Sequence, residues 1–228
     1  MQLCGRTVLA AIGIRYRVEG RPPSGPAVIV ANHLSYLDIV ICSVAVPAAF
    51  VAKEEISSWP GFGLLARFGG TIFVDRSSRM SSYDAAEAIG LRLSDNVPVL
   101  FFPEGTSTDG SQVQRFHSTL FEPAIEAGVL VTPAAIFYES SGTVAERDLC
   151  WFGDDLFFPH LLRVLGVEGF TAVVRFGEAE TFPDRRTAAW RSHDAVESMR
   201  EDKNAFVAAQ FDEPDPRPWL ALRSTRVR

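Results

Sequence analysis

The chain has 228 residues with 47% hydrophobic and 22% charged side chains, the balance of an ordinary folded protein, which excludes intrinsic disorder, collagen-like repeats and small disulfide scaffolds. A chain of this size buries a core that needs neither disulfide nor structural metal, and Cys4, Cys42 and Cys150, odd in number and without a CxxC pair, read as reduced cysteines. The formal charge of −6 disfavours nucleic acid as a partner.

That charge is unevenly placed along the chain. Residues 1–21 carry Arg6, Arg15, Arg17 and Arg21 against Glu19, and residues 217–228 carry Arg217, Arg223, Arg226 and Arg228 with no acid, so the segments hold +3 and +4 and the body between them −13. Basic ends on an acidic body suit an anionic membrane surface, where each basic residue contributes about 1 kcal/mol; two solvated termini account for the same letters. Residues 1–21 are expected to form a short membrane-proximal segment. The apolar run at 8–14 falls short of the roughly 18 residues a span requires, and no small-residue cleavage site follows it, so neither a spanning helix nor a signal peptide is expected.

After a turn-rich linker at 21–26, continuous apolar runs recur at 27–31, 48–52, 71–74, 97–102, 129–138 and 171–176. Each has the length of a strand, and the missing polar alternation predicts burial on both faces. Helical segments fall between them. Residues 82–93 bring Ala86, Ile89 and Leu93 to one face, and 122–127 precede Gly128 as a helix stop. The expected fold is α/β, a mostly parallel central sheet flanked by helices on both faces. One domain spans 22–210 and ends in a long helix from about 186 to 210, with Trp190, Val196, Met199, Phe206 and Val207 buried. Residues 211–228, with Pro214, Pro216 and Pro218, form a surface tail.

Two constellations carry chemistry. Asn32-His33-Leu34-Ser35-Tyr36-Leu37-Asp38 follows the run at 27–31, and ligands bind past the carboxyl ends of strands in such sheets. Ser35 and Asp38 have the spacing of a capping box, which places Asp38 in the first helical turn, folded back toward His33. There it can accept a hydrogen bond from one imidazole nitrogen and fix the tautomer. A helix cap beside a satisfied surface histidine fits the same pattern. The second constellation, Phe101-Phe102-Pro103-Glu104-Gly105-Thr106-Ser107-Thr108-Asp109-Gly110, follows the run at 97–102. Pro103 ends pairing, Gly105 permits close backbone approach, and hydroxyls with free amides suit a polar or anion-binding turn; a hairpin-like turn is the plainer account.

In this order the two blocks resemble the NHxxxxD and FPEGT motifs of the glycerolipid acyltransferase family, which includes the 1-acylglycerol-3-phosphate acyltransferases. Lys53-Glu54-Glu55 with Pro60, Gly61 and Gly63, then Gly70-Thr71-Ile72-Phe73-Val74-Asp75-Arg76, resembles the family's second motif, and Val131-Thr132-Pro133-Ala134-Ala135 the fourth. The resemblance covers residues 12–137. It implies a glycerol-phosphate acyltransferase-like fold and transfer of an acyl group from a thioester to a lysophospholipid hydroxyl. His33 is then the general base and Asp38 its orienter, while Arg76, Glu104, Gly105 and Thr106 bind or position the acceptor. No cofactor or metal is implied beyond acyl-CoA or acyl carrier protein as co-substrate. A thiol leaves readily as thiolate, so the pair needs no general acid and no serine nucleophile, and no GxSxG, P-loop, GxGxxG or HExxH occurs in the chain.

Many members carry Arg after FPEGT, where a guanidinium grips phosphate in a forked pair of bonds, but this chain has Ser107. Lysophosphatidate is the first expected acceptor, with a lyso-ornithine lipid or glycerol-3-phosphate as alternatives; a thioester or lysolipid hydrolase and a non-catalytic lipid-binding protein are the other classes. Membrane contact is expected to be peripheral, at the cytoplasmic face, through the N-terminal segment and Leu156, Phe157, Phe158, Leu161 and Leu162. Cys42 is expected in the core. His117, His160 and His193 lack a carboxylate in a comparable loop, and His193 is expected on a helix surface. Lys53 either pairs with Glu55 or reaches a phosphate.

Overall fold

The computed structural model describes residues 2–54, 57, 63, 67, 70–74, 79–140 and 144–202. Strands β1 (Ile14–Glu19), β2 (Ala27–Ala31), β3 (Ala49–Lys53), β4 (Ile72–Val74), β5 (Val99–Phe101), β6 (Leu130–Ser140) and β7 (Phe170–Phe176) form one sheet in the order β1-β7-β6-β2-β5-β3-β4. Every pairing is parallel except β6 with β7. Helices α1 (Gln2–Ala11), α2 (Leu37–Ala45), α3 (Arg79–Ser94), α4 (Glu122–Glu126), α5 (Glu146–Leu149), α6 (Phe157–Leu165) and α7 (Arg185–Glu201) surround it.

The fully apolar runs are explained by two hydrophobic clusters, one on each face of the sheet. Ile29 and Ala31 of β2 point into the cluster that includes Leu9 of α1, Ile41 of α2 and Val164 of α6. Val28 and Val30 point into the other, with Ile89 of α3, Ala124 of α4 and Val196 of α7. Both faces are covered, so side chains of either parity must be apolar. All six expected strands form, and the α/β class with a mostly parallel sheet is the fold observed.

Strand β1 was not expected. Its Ile14-Arg15-Tyr16-Arg17-Val18-Glu19 is largely exposed or half-buried at the sheet edge, where charged side chains are tolerated. Arg17 is 2.9 Å from both Glu19 and Glu139, and Arg175 is 2.7 Å from Glu19, so ion pairs tie β1, β7 and β6 together. The positive charge of Arg17, assigned from sequence to a basic N-terminal segment, is therefore matched inside the sheet.

Two helix faces are rotated from expectation. In α3 the buried stripe is Ala85, Ile89 and Leu93, with Ala86 beside it and half-buried. In α7 the stripe runs through Ala188, Ala189, Ser192 and Val196, and Trp190 lies off it at 64% exposure, contrary to the burial expected of a tryptophan. Met199 is half-buried against the core. Phe206, Val207 and the tail at 211–228 lie outside the described residues. Among the described residues, no helix is long and apolar enough to cross a membrane.

Candidate active site

The site begins where β2 stops. Asn32 follows the last strand residue and is 1% exposed; its Oδ1 accepts from the Ile136 amide at 2.7 Å and its Nδ2 donates to the Ile136 carbonyl at 3.2 Å. The side-chain amide thereby imitates one more residue of the β2–β6 ladder while the main chain turns away. His33 is released at the strand end, and Leu37 opens α2 four residues later.

Asp38, in the first turn of α2, is completely buried and fully engaged. Its Oδ2 accepts from His33 Nδ1 at 2.8 Å and from the amides of Leu34 at 2.7 Å and Ser35 at 3.0 Å. The bond from Ser35 is the capping-box half anticipated from the spacing. Ser35 Oγ in turn accepts from the Leu37 amide at 3.3 Å, so this buried hydroxyl serves the helix start and not a nucleophilic role. Oδ1 of Asp38 accepts from the Tyr138 hydroxyl. A carboxylate can only accept, so Nδ1 carries the proton, and Nε2 is the nitrogen left to take one from a substrate.

The imidazole plane is set by Phe102, stacked at a centroid distance of 4.1 Å and an angle of 10°. The His33 main chain is held from the second constellation. Glu104 Oε1 accepts from the His33 amide at 2.7 Å, its Oε2 accepts from the Gln114 amide at 2.8 Å, and the Thr108 amide donates to the His33 carbonyl at 2.9 Å. Glu104 is 4% exposed. Burial pushes its carboxyl up to about 7, against the lowering pull of the Gln114 and His33 amides and of the nearby His33 and Arg200 side chains. The sequence assigned Glu104 to binding or positioning the acceptor; the hydrogen bonds it accepts in the fold come from the amides of His33 and Gln114.

Gly105 is half-buried with φ of +79°, Thr106 is exposed, and residues 107–110 are half-buried. Gly110, at φ of +77°, leaves room for Arg200: a Cβ there would lie 2.9 Å from the guanidinium. Arg200 donates to the Gly110 carbonyl at 2.6 Å and meets Glu146 at 3.2 Å, fastening the turn to α5 and α7. Arg76 lies outside the described residues, as do Glu55, Pro60, Gly61 and Asp75.

The remaining candidates take no part in the His33–Asp38 hydrogen bonds. Cys42 is buried and its thiol is pushed up by burial and by the Asp38 charge, as a core cysteine would be. His160 is fully buried, 3.0 Å from the Tyr36 hydroxyl, and burial lowers its pKa. His117 is exposed, with its amide donating to the Pro103 carbonyl. His193 is not a free surface residue: its Nε2 donates to the Val113 carbonyl at 3.1 Å and its ring meets Phe116 edge-on. Tyr138, Phe102, Thr108 and Arg200 were missed as site residues. For Tyr138 a signal existed, since a phenol inside a doubly buried strand requires a partner.

A mostly parallel α/β sheet with a His–Asp pair just past a strand end, its aspartate buried, has the layout of an enzyme whose ligand binds at the carboxyl edge of the sheet. Comparison with known proteins narrows this to one family. The acyltransferase family model matches residues 14–137, and the chain belongs to that family. It is 36% identical over 201 residues to the lyso-ornithine lipid O-acyltransferase of Rhodobacter capsulatus, covering 85% of this chain and 72% of that protein. It is 39% identical over 148 residues to the 1-acyl-sn-glycerol-3-phosphate acyltransferase of Neisseria meningitidis, covering 63% of this chain and 57% of that one. The fold matches the crystal structure of the 1-acyl-sn-glycerophosphate acyltransferase PlsC of Thermotoga maritima with a TM-score of 0.68 at 23% identity, over 90% of this chain and 78% of that chain.

Proposed function

We propose that the protein transfers a fatty acyl group from a thioester to the hydroxyl of a lysolipid, with His33 as general base. The observation that carries this reading is the 2.8 Å contact between His33 Nδ1 and a fully buried Asp38 at the carboxyl end of β2. Nε2 takes the proton of the acceptor hydroxyl as its oxygen forms the new ester bond to the acyl carbon. The carbon–sulfur bond breaks and the sulfur leaves as thiolate, carrying off the electron pair. Asp38 holds the tautomer and stabilises the imidazolium. Gly105 and Thr106, accessible at the turn, together with Arg76, meet the acceptor, and the donor is acyl-CoA or acyl carrier protein.

A lyso-ornithine lipid is the acceptor we favour. Ser107 stands where a guanidinium would grip phosphate, and the Rhodobacter capsulatus relative, named for that acceptor, matches most of the chain. Lysophosphatidate is the second reading, favoured by the Neisseria meningitidis relative. Both acceptors reside in a bilayer. Leu156, Phe158, Leu162 and Leu165, between 47% and 70% exposed on or beside α6, present an apolar stripe suited to peripheral contact with the cytoplasmic face of a membrane.

The test is transfer of a labelled acyl group from acyl-CoA to each acceptor in parallel. His33→Ala is expected to lose roughly 10²- to 10⁴-fold in turnover while keeping its circular dichroism and melting point. Undiminished turnover would remove His33 from the chemistry. Free fatty acid in place of a diacyl product would make the protein a hydrolase.

A further inference from the structure

We propose that Tyr138 is a positioning residue for the transfer reaction, the third member of a His33–Asp38–Tyr138 hydrogen-bonded chain. The inference rests on His33 being the base. Asp38 turns its two oxygens to different elements: Oδ2 to its own loop, through His33, Leu34 and Ser35, and Oδ1 to the Tyr138 hydroxyl. The three Oδ2 bonds all come from the segment whose geometry Asp38 is meant to fix. The phenol supplies a reference point from outside that segment.

That reference is rigid for reasons visible in the sheet. Tyr138 sits on β6, which pairs with β2 through Ala31↔Ala134 and continues through the two bonds between Asn32 and Ile136. Its amide donates to Glu146 Oε1 at 2.8 Å, and its ring lies 5.1 Å from that of Phe170. Tyr138 is 1% exposed, so the hydroxyl has no water to turn to. The titratable groups around Asp38 besides His33 are Tyr138, Cys42 and Cys150, and burial holds all three protonated. The phenol therefore remains a donor, and the plane of the Asp38 carboxylate is fixed by the sheet while its other edge aims the imidazole.

Tyr138→Phe keeps the ring and removes the bond. Assayed well below its melting point, it is expected to show kcat lowered about tenfold with KM for donor and acceptor within twofold, and a weakened downfield proton resonance from His33 Nδ1. Phe170→Leu, which loosens the packing of the same ring and leaves the phenol, is expected to keep both kcat and the resonance. An unchanged kcat and resonance in Tyr138→Phe, or equal losses in the two variants, would overturn the proposal and leave Tyr138 a packing residue. His33→Ala separates the two readings: if it retains turnover, the general-base assignment fails and this inference with it. If it loses turnover while Tyr138→Phe does not, only the inference fails.

Discussion

Two loops at the ends of neighbouring strands meet at His33, and they are built in opposite ways. The loop at 32–38 folds its polar side chains inward, with Asn32, Ser35 and Asp38 each at most 1% exposed and each bonded to main chain or to His33. The loop at 103–110 keeps Thr106 exposed and much of its length half-buried, and commits one carboxylate, Glu104, to the His33 amide. One loop orients the imidazole; the other holds the backbone that bears it and keeps Thr106 exposed. Two buried carboxylates thus act on one histidine, Asp38 on its ring and Glu104 on its main chain, and in the first loop His33 alone is part-exposed.

Substitutions that attack each loop separately test this division, and the largest effect is expected at Asp38. Asp38→Asn removes the negative charge and turns one accepting oxygen into a donating NH2, so the tautomer is no longer dictated, and turnover should fall by roughly 10²- to 10⁴-fold in the labelled-acyl assay. Glu104→Gln acts on the backbone and should cost about tenfold in turnover. It should also change the pH dependence of stability. The folded-state pKa near 7 lies above the ordinary 4.5, so between these values the folded chain holds a proton that the unfolded chain has lost. Stability from this group is fully present below about 4.5 and declines as pH rises through 7, by at most about 3 kcal/mol. Denaturant titrations at pH 5 and pH 8 should show a steeper decline for the native chain than for Glu104→Gln.

Smaller effects sharpen the same contrast. Asn32→Ala leaves the buried Ile136 amide without its acceptor, and chemical denaturation should report a loss of about 1 to 3 kcal/mol. Thr106→Ala, on the exposed part of the second loop, should alter stability by less than about 0.5 kcal/mol, and any kinetic change should fall on the acceptor KM. A melting point lowered as far by Thr106→Ala as by Asn32→Ala would break the distinction between the loops.

The fold was legible in the chain to the extent that burial was symmetric. β2 and β5 lie inside the sheet with both faces covered, so their sequences are uninterrupted apolar runs, and β6 departs from this only at Thr132 and at its end, Glu139 and Ser140. β1 escaped notice because an edge strand carries Arg15, Arg17 and Glu19 without penalty, and its charges make sense only beside Glu139 and Arg175. Trp190 misled because side-chain type outweighed helical phase.

The chemical pair His33 and Asp38 was readable because both partners lie within one turn of chain, where the hydrogen bond is a local matter of loop and helix start. What supports that pair is separated from it by long stretches of sequence. Phe102 stacks on His33, Glu104 grips its amide, and Tyr138 reaches Asp38 across 100 residues, and each contact exists only because β5 and β6 flank β2 in the sheet. The sequence by itself therefore determined the six apolar strands and the candidate His33–Asp38 pair. Tertiary structure decided which residues hold them still, since nothing in the local spacing records which strands become neighbours.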